Sequence, residues 1–405
     1  MRLSLHRLFL QGKNAVFTSN PRAARAQMHI AFLSDPHVSH YGGRVGALRT
    51  GRRKVVQEHD DWVGVWKDGG WRIERRKPSA LRREVTLRLI DENGELHGVR
   101  SGNAETALID ALLELQRGRC ATFHAGLAEH FPDAAAIREG LAHDPTNVNL
   151  RFCAAALEVR RAEPDWVVVL GDLTDDSVGF GLILEGLRPF FEAGRLLCIP
   201  GNHDLYSTPP LWTPNALRKT EREKRELWGG FAAKLGQPAS GMFVRELGEG
   251  AVVAFLDSCY PPRLSFSASG LVPMKQLNEV AEELEVLSSE GTLRLVCLHH
   301  HVVNLPPMGL GRAPWQPGMR LRNAEQVLPA LLGMKLGAVL NGHRHVGYQF
   351  KPAGGPLFVS VPSCSLGCRS SGDPYYITLD VAGGRLRSVG EQPISLLEGM
   401  GYAWG

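Results

Sequence analysis

The sequence predicts an α/β protein built on buried parallel strands, with a large α+β substructure inserted after the first of them. Short apolar runs at 30–33, 166–170, 196–199, 251–256, 293–298 and 336–340 have strand length and are too uniformly apolar for strands with one solvated face. Most of these runs pass straight into Gly, Asp, Asn or His, so polar chemistry gathers at strand ends, where open α/β sheets bind ligands. About 130 residues separate His37 from the next such run, far more than a loop spans, so an inserted subdomain at 41–145 is expected within a main domain of 28–405.

Composition narrows the class. The chain has 405 residues, is 43% hydrophobic and carries a formal charge of +4, enough to bury a large core and too mild in charge to argue for nucleic acid. No apolar run is long enough to span a membrane. The cysteines are scattered without a disulfide framework, which points to a reducing compartment and a cytoplasmic location. Residues 1–27 are basic with no acidic residue. They read as a dispensable tail before the alternative start at Met28, or as a targeting segment.

The first run leads into Asp35-Pro36-His37. Alternate residues of an extended chain share a side, so both side chains can face one ion. Within the insertion, residues 62–66 and 71–74 suggest one hairpin and residues 85–90 and 95–99 another, the latter around Asn93-Gly94. Residues 104–117 repeat Leu108, Leu112 and Leu115 at helical spacing, and Thr146 or Asn147 caps a helix running to about Arg161. Residues 44–83 hold the clusters Arg52-Arg53-Lys54 and Arg75-Arg76-Lys77 around Trp62, Trp66 and Trp71. They form either a phosphate-attracting lip or a small β-subdomain with a tryptophan core, and strand spacing favours the second.

The central run 166–170 ends at Gly171-Asp172, and a helix is expected at 180–192. The run 196–199 ends at Gly201-Asn202-His203-Asp204, where the Asn202 carbonyl is a hard ligand and His203 points elsewhere, its imidazole steadied by Asp204. A helical lid is expected over 209–234. The run 293–298 ends in His299-His300-His301, three imidazoles hard to explain as core filling. His299 is the metal candidate and His300 the runner-up. After 336–340, His343 and His345 alternate so that each serves a different ion, and residues 348–389 read as antiparallel strands completing a second sheet.

Asp35-x-His37, Gly171-Asp172, Gly201-Asn202-His203-Asp204, His299 and Gly342-His343-x-His345, in this order, resemble the calcineurin-like metallophosphoesterase superfamily. The resemblance implies a four-layer α/β/β/α sandwich with a dinuclear centre of Mn²⁺, Fe or Zn²⁺. Asp35, His37, Asp172 and His345 would bind one ion, and Asp172, Asn202, His299 and His343 the other. It also implies hydrolysis of a phosphodiester or phosphomonoester of a nucleotide-like or other small substrate, by attack of a hydroxide bridging the ions. His203 and Asp204 would be the catalytic pair, with His203 stabilising the phosphoryl group or protonating the leaving oxygen.

Gly171-Asp-Leu-Thr-Asp175 and the His pair are similar to class III cyclic nucleotide phosphodiesterases. The chain departs from them at His301-Val302, where that group has Pro, and in its long insertion. The alternative is a nuclease or nucleic-acid end-processing phosphatase that uses the basic insertion.

Overall fold

The computed structural model describes residues 27–39, 58–59, 61–68, 71–78, 84–91, 93–175, 177, 179–206, 219–261, 268–303 and 319–403. The basic tail up to residue 26, Arg52-Arg53-Lys54 and the first part of the expected lid lie outside them.

The first strand, β1 (Met28–Leu33), is followed by β2 (Glu58–His59), β3 (Trp62–Asp68), β4 (Trp71–Arg76), β5 (Val85–Ile90) and β6 (Leu96–Gly102). Then come α1 (Glu105–Glu129), α2 (Ala134–His143), α3 (Val148–Ala162), β7 (Trp166–Leu170), α4 (Phe180–Gly186), α5 (Arg188–Glu192), β8 (Leu196–Ile199), α6 (Asn202–Leu205) and α7 (Glu221–Lys234). The remainder is β9 (Phe243–Gly248), β10 (Ala251–Leu256), α8 (Met274–Leu287), β11 (Leu293–Leu298), α9 (Ala324–Gly333), β12 (Ala338–Asn341), β13 (Tyr348–Phe350), β14 (Leu357–Ser360), β15 (Tyr375–Ala382) and β16 (Arg385–Pro393).

These elements make a mixed α/β fold with three sheets. The first has the order β16-β15-β1-β7-β8, the second β13-β14-β12-β11-β10-β9, and the third β2-β3-β4-β5-β6. Strands β1, β7 and β8 run parallel, as do β10, β11, β12 and β14, so within each sheet their carboxyl ends share one edge. The apolar runs become central strands because both faces are covered. Phe32, Val168 and Ile199 of the first sheet pack with Phe255, Leu295 and Leu340 of the second in one core. Ala31, Val167 and Val169 face a core shared with Phe152 of α3, Ile183 of α4 and Phe231 of α7, while Val252, Val296 and Val339 face Leu277 of α8 and Leu331 of α9. Full burial of each Val, Leu or Phe contributes about 1.5–3 kcal/mol, and Ala in place of a buried Leu costs about 2–5 kcal/mol.

Several expectations change. The helix expected over 180–192 is two helices broken at Leu187, because Pro189 stands at the start of α5 and cannot supply an N–H to a continuous helix. The helix expected at 104–117 continues to Glu129, beyond its clear leucine repeat. Residues 348–389 do not all complete the second sheet. There β14 lies parallel to β12, while β15 crosses back to lie antiparallel to β1 and brings β16 with it. Alternation along a strand shows which face is buried and carries no information on which neighbour covers it.

In the third sheet, Trp66 and partly buried Trp71 do pack with Ile73, Leu87, Leu89 and Leu112, but Trp62 lies apart from that core, under the guanidinium groups of Arg88 at 4.0 Å and Arg76 at 6.0 Å. Asn147 is the cap of α3, its side-chain oxygen accepting from the amides of Asn149 and Leu150. Among the described residues no helix is long and apolar enough to cross a membrane.

Candidate metal centre

The site assembles where the carboxyl ends of β1, β7, β8, β11 and β12 meet. Backbone bonds hold the loops in register, with the Asp35 amide donating to the Gly171 carbonyl (3.0 Å) and the His37 amide to the Asp172 carbonyl (2.9 Å). The His343 amide donates to Asp35 Oδ2 at 2.9 Å and thereby ties a loop of the second sheet to one of the first. Asp35, His37, Asp172, His343 and His345 all have positive φ, between 49° and 74°. Left-handed backbone is unfavourable for residues with a β-carbon and persists where surrounding structure enforces it, typically at functional sites. It also corrects the expectation that Asp35 and His37 share a side as alternate residues of an extended chain, because neither is extended.

Glycines make the close approach possible. A β-carbon at Gly201 would lie 2.0 Å from the Asp172 amide nitrogen, and one at Gly342 would lie 2.7 Å from Asp35 Oδ2.

Two groups of donors face each other. Asp35, His37 and His345 form the first, with His345 Nε2 3.3 Å from Asp35 Oδ1 and 3.0 Å from His37 Nε2. Asp172, His299 and His343 form the second. His299 Nε2 lies 3.3 Å from Asp172 Oδ2, 3.2 Å from His343 Nδ1 and 3.2 Å from the Asn202 side-chain oxygen. Asp172 Oδ2 also lies 3.9 Å from His37 Nε2 of the first group, so a single carboxylate oxygen borders both. Ligands about 2.1 Å from an ion stand roughly 3.0–3.4 Å from one another, which these spacings match. Asp35 Oδ1 is buried without a hydrogen-bond partner, the state expected of an oxygen reserved for a cation. The donor set therefore fits a pair of divalent ions.

Tautomers agree. His299 Nδ1 faces the Leu170 carbonyl at 2.8 Å, which can only accept, so in the neutral ring the proton sits there and Nε2 is bare toward the centre. His300 is turned away, with Nδ1 on the Ser258 hydroxyl and Nε2 facing the Ala268 carbonyl, and His301 Nε2 faces the Gly342 carbonyl. Of the three consecutive histidines, only His299 belongs to the donor groups.

Electrostatics reflects crowded acid. Burial opposes ionisation of Asp172, but the charges of His299 and His203 overcome it and hold the carboxyl well below the usual range. Burial likewise disfavours charged His299, yet Asp172 and Asp35 push it up to about 9. Burial dominates at His345, pushed down to about 3, and at His343, also well down.

His203 Nε2 lies 4.0 Å from Asp172 Oδ2, and its side chain is 15% exposed, so it borders both the donor groups and solvent. Its partner differs from the expected one. Asp204 turns both oxygens to backbone, accepting from the amides of Leu173, Thr174 and Gly201, so it holds the loop and does not hold the imidazole. Asp175 has that place. Its Oδ1 lies 2.8 Å from His203 Nδ1 and 2.7 Å from His37 Nδ1, fixing two rings with their Nε2 atoms toward the centre. The signal was present in Gly171-Asp172-Leu173-Thr174-Asp175, but spacing alone does not say which of two nearby aspartates meets a ring brought in by another strand.

A mixed α/β fold with two adjoining groups of buried carboxylate, imidazole and amide donors defines a candidate dinuclear metal protein. The chain belongs to the calcineurin-like phosphoesterase family, whose model matches residues 143–347. The matched span holds Asp172, Asn202, His203, His299, His343 and His345. Asp35 and His37 precede it and join the site through the fold. Among solved structures, the chain is similar to a dimetal phosphatase from Danio rerio, with 11% identity over 91% of this chain and 96% of that one and a TM-score of 0.45. It is also similar to a purple acid phosphatase from yellow lupin seeds, with 10% identity over 61% of this chain and 47% of that one and a TM-score of 0.42. No curated protein matches the chain.

Proposed function

We propose that this phosphoesterase hydrolyses a phosphodiester or phosphomonoester of a nucleotide-like or other small substrate at a dinuclear centre. Asp35, His37, Asp172 and His345 would hold one ion, and Asp172, Asn202, His299 and His343 the other. The observation that carries the reading is Asp172 Oδ2 bordering both donor groups. Nitrogen and hard oxygen donors suit Mn²⁺, Fe or Zn²⁺, and such a pair, when bound, acidifies water and neutralises phosphoryl oxygens.

The chain's own groups do the positioning. Asp175 accepts the Nδ1 proton of His203, so Nε2 is bare in the neutral ring, and only after protonation can it stabilise charge on the phosphoryl group or pass a proton to the leaving oxygen. The sheet of residues 58–102 lies in sequence between β1 and β7, which supports reading 41–145 as an inserted subdomain within 28–405. Among the described residues, six buried cysteines stand outside any disulfide, which supports a reducing, cytoplasmic setting.

The test is hydrolysis of bis(p-nitrophenyl) phosphate by Mn²⁺-loaded protein. Asp172→Ala should reduce it to background, and retained turnover would remove the proposal. A panel of monoesters, cyclic diesters and pyrophosphates then assigns the substrate class. One observation favours a nucleic-acid substrate, the Arg76-Trp62-Arg88 arrangement on the third sheet. On that reading oligonucleotide binding weakens with salt and with Arg76→Ala. Binding indifferent to both would exclude it.

A further inference from the structure

His345 has a second neighbour outside the donor groups. Its Nδ1 lies 2.9 Å from the phenol oxygen of Tyr402, to which Arg369 Nε also donates at 3.1 Å. The Arg369 backbone amide donates to the His345 carbonyl at 2.7 Å, and its guanidinium lies 5.7 Å from the centre of the Tyr402 ring. Side chain and main chain of His345 are therefore both tied to this pair.

The segment that carries Tyr402 is fastened on several sides. Both oxygens of Asp373 accept from it, Oδ2 from the Gly399 amide at 3.0 Å and Oδ1 from the Gly401 amide at 2.9 Å. The Ala403 amide donates to the Leu366 carbonyl at 2.8 Å. Arg151 of α3, fully buried, donates to the carbonyls of Gly401 (2.7 Å), Pro145 (2.9 Å) and Ser365. A buried guanidinium is costly to desolvate, and here its donors bind backbone from separate parts of the chain.

We infer that Tyr402, held by this strap and by Arg369, is a positioning residue that fixes the tautomer and orientation of His345 as a metal ligand. The inference rests on the dinuclear reading above. A ligating imidazole nitrogen must be bare, so with Nε2 toward Asp35 and His37 the His345 proton resides on Nδ1 and is donated to Tyr402. Arg369 Nε–H can act only as a donor and takes one acceptor site of the phenol oxygen, leaving the other to accept the Nδ1 proton. The ring of Tyr402 alone cannot do this, which separates positioning from packing.

The test titrates the metal-free full-length protein with Mn²⁺, followed by calorimetry and electron paramagnetic resonance. Wild type should bind two ions. Tyr402→Phe, which keeps the ring, should weaken one of the two by about ten- to a hundredfold, as loss of a group that orients a ligand does. The other should change less than about twofold, and in an Asp35→Asn background, where the first group is already damaged, Tyr402→Phe should add nothing. The ¹⁵N shifts of His345 in the metal-free protein, where no ion fixes the tautomer, should report a single Nδ1–H tautomer in wild type and a loss of that preference in the variant. Should Tyr402→Phe not fold, Arg369→Gln, judged by the same criteria, takes its place. Unchanged constants, or equal weakening at both sites, overturn the role of Tyr402. Wild-type protein that binds no Mn²⁺ overturns the dinuclear reading instead.

Discussion

The edge shared by the two main sheets and the hairpin sheet of residues 58–102 both gather carboxylates and imidazoles, and they treat them in opposite ways. In the hairpin sheet the buried acids Glu74 and Asp91 are fully engaged. Glu74 accepts from Arg72 and Arg88 at 2.8 Å each, and Asp91 accepts from the amides of Asn93 and Glu95 at 2.9 Å each while meeting His97 at 2.6 Å. At the sheet edge, Asp35 Oδ1 is buried without a hydrogen-bond partner, and the ligand candidates Asp35, His37, Asp172, His343 and His345 sit on left-handed backbone. An unsatisfied buried polar group costs about 1–3 kcal/mol and strained backbone a similar amount, so a fold keeps both only where something else uses them. The contrast separates a site from a structural ion-pair network, although residue type makes the two look alike, and Asp91, Glu95 and His97 also cluster closely enough to suggest a metal.

This contrast can be broken by substitution. After Asp172→Ala, the largest effect belongs to His203→Ala, which should lower kcat by about 10²- to 10⁴-fold, the usual worth of a general acid or base. Metal content measured on the same protein should stay at the wild-type level. A parallel loss of metal would make His203 a ligand.

Next comes Asp175→Asn. An amide cannot hold two imidazole N–H groups as a carboxylate does, so metal affinity and activity should fall by about 10- to 100-fold. Asp204→Asn should act chiefly on stability, since the Asp204 oxygens bind backbone amides. Comparing thermal melts and metal titrations of the two variants checks the reassignment of roles.

The smallest effect is expected in the hairpin sheet. Glu74→Gln should cost about 1–2 kcal/mol of stability, from weakened charged hydrogen bonds, and leave kcat unchanged. Burial pushes the Glu74 carboxyl up, but the hydrogen bonds from Arg72 and Arg88 outweigh it and hold the group below its ordinary value. The pair's contribution is therefore complete above the unfolded-state value of about 4.3 and is lost as pH falls through the lower folded value. The difference between wild type and Glu74→Gln in urea melts should shrink on acidification through that window, and a difference that grew would contradict the pairing.

The sequence specified strands β7, β8 and β10 to the residue, because a strand covered on both faces is apolar throughout and the runs end where polar residues begin, and it specified β11 as well, although Arg294 stands second in it. It also located the residues that make up the two donor groups, since each stands at a strand end in a short motif. What it left open was decided by groups distant in sequence. Asp175 rather than Asp204 meets His203 because α6 turns Asp204 back onto the amides of the Asp172 loop. His299 rather than His300 faces the centre because the Leu170 carbonyl of one sheet and the Ser258 hydroxyl near the other claim different rings. Tyr402 reaches His345 only because Asp373 and the buried Arg151 fasten its segment. Periodicity encodes which residues are covered, but the partner of each polar atom depends on which loops the packed sheets bring together, and only the tertiary structure decides that.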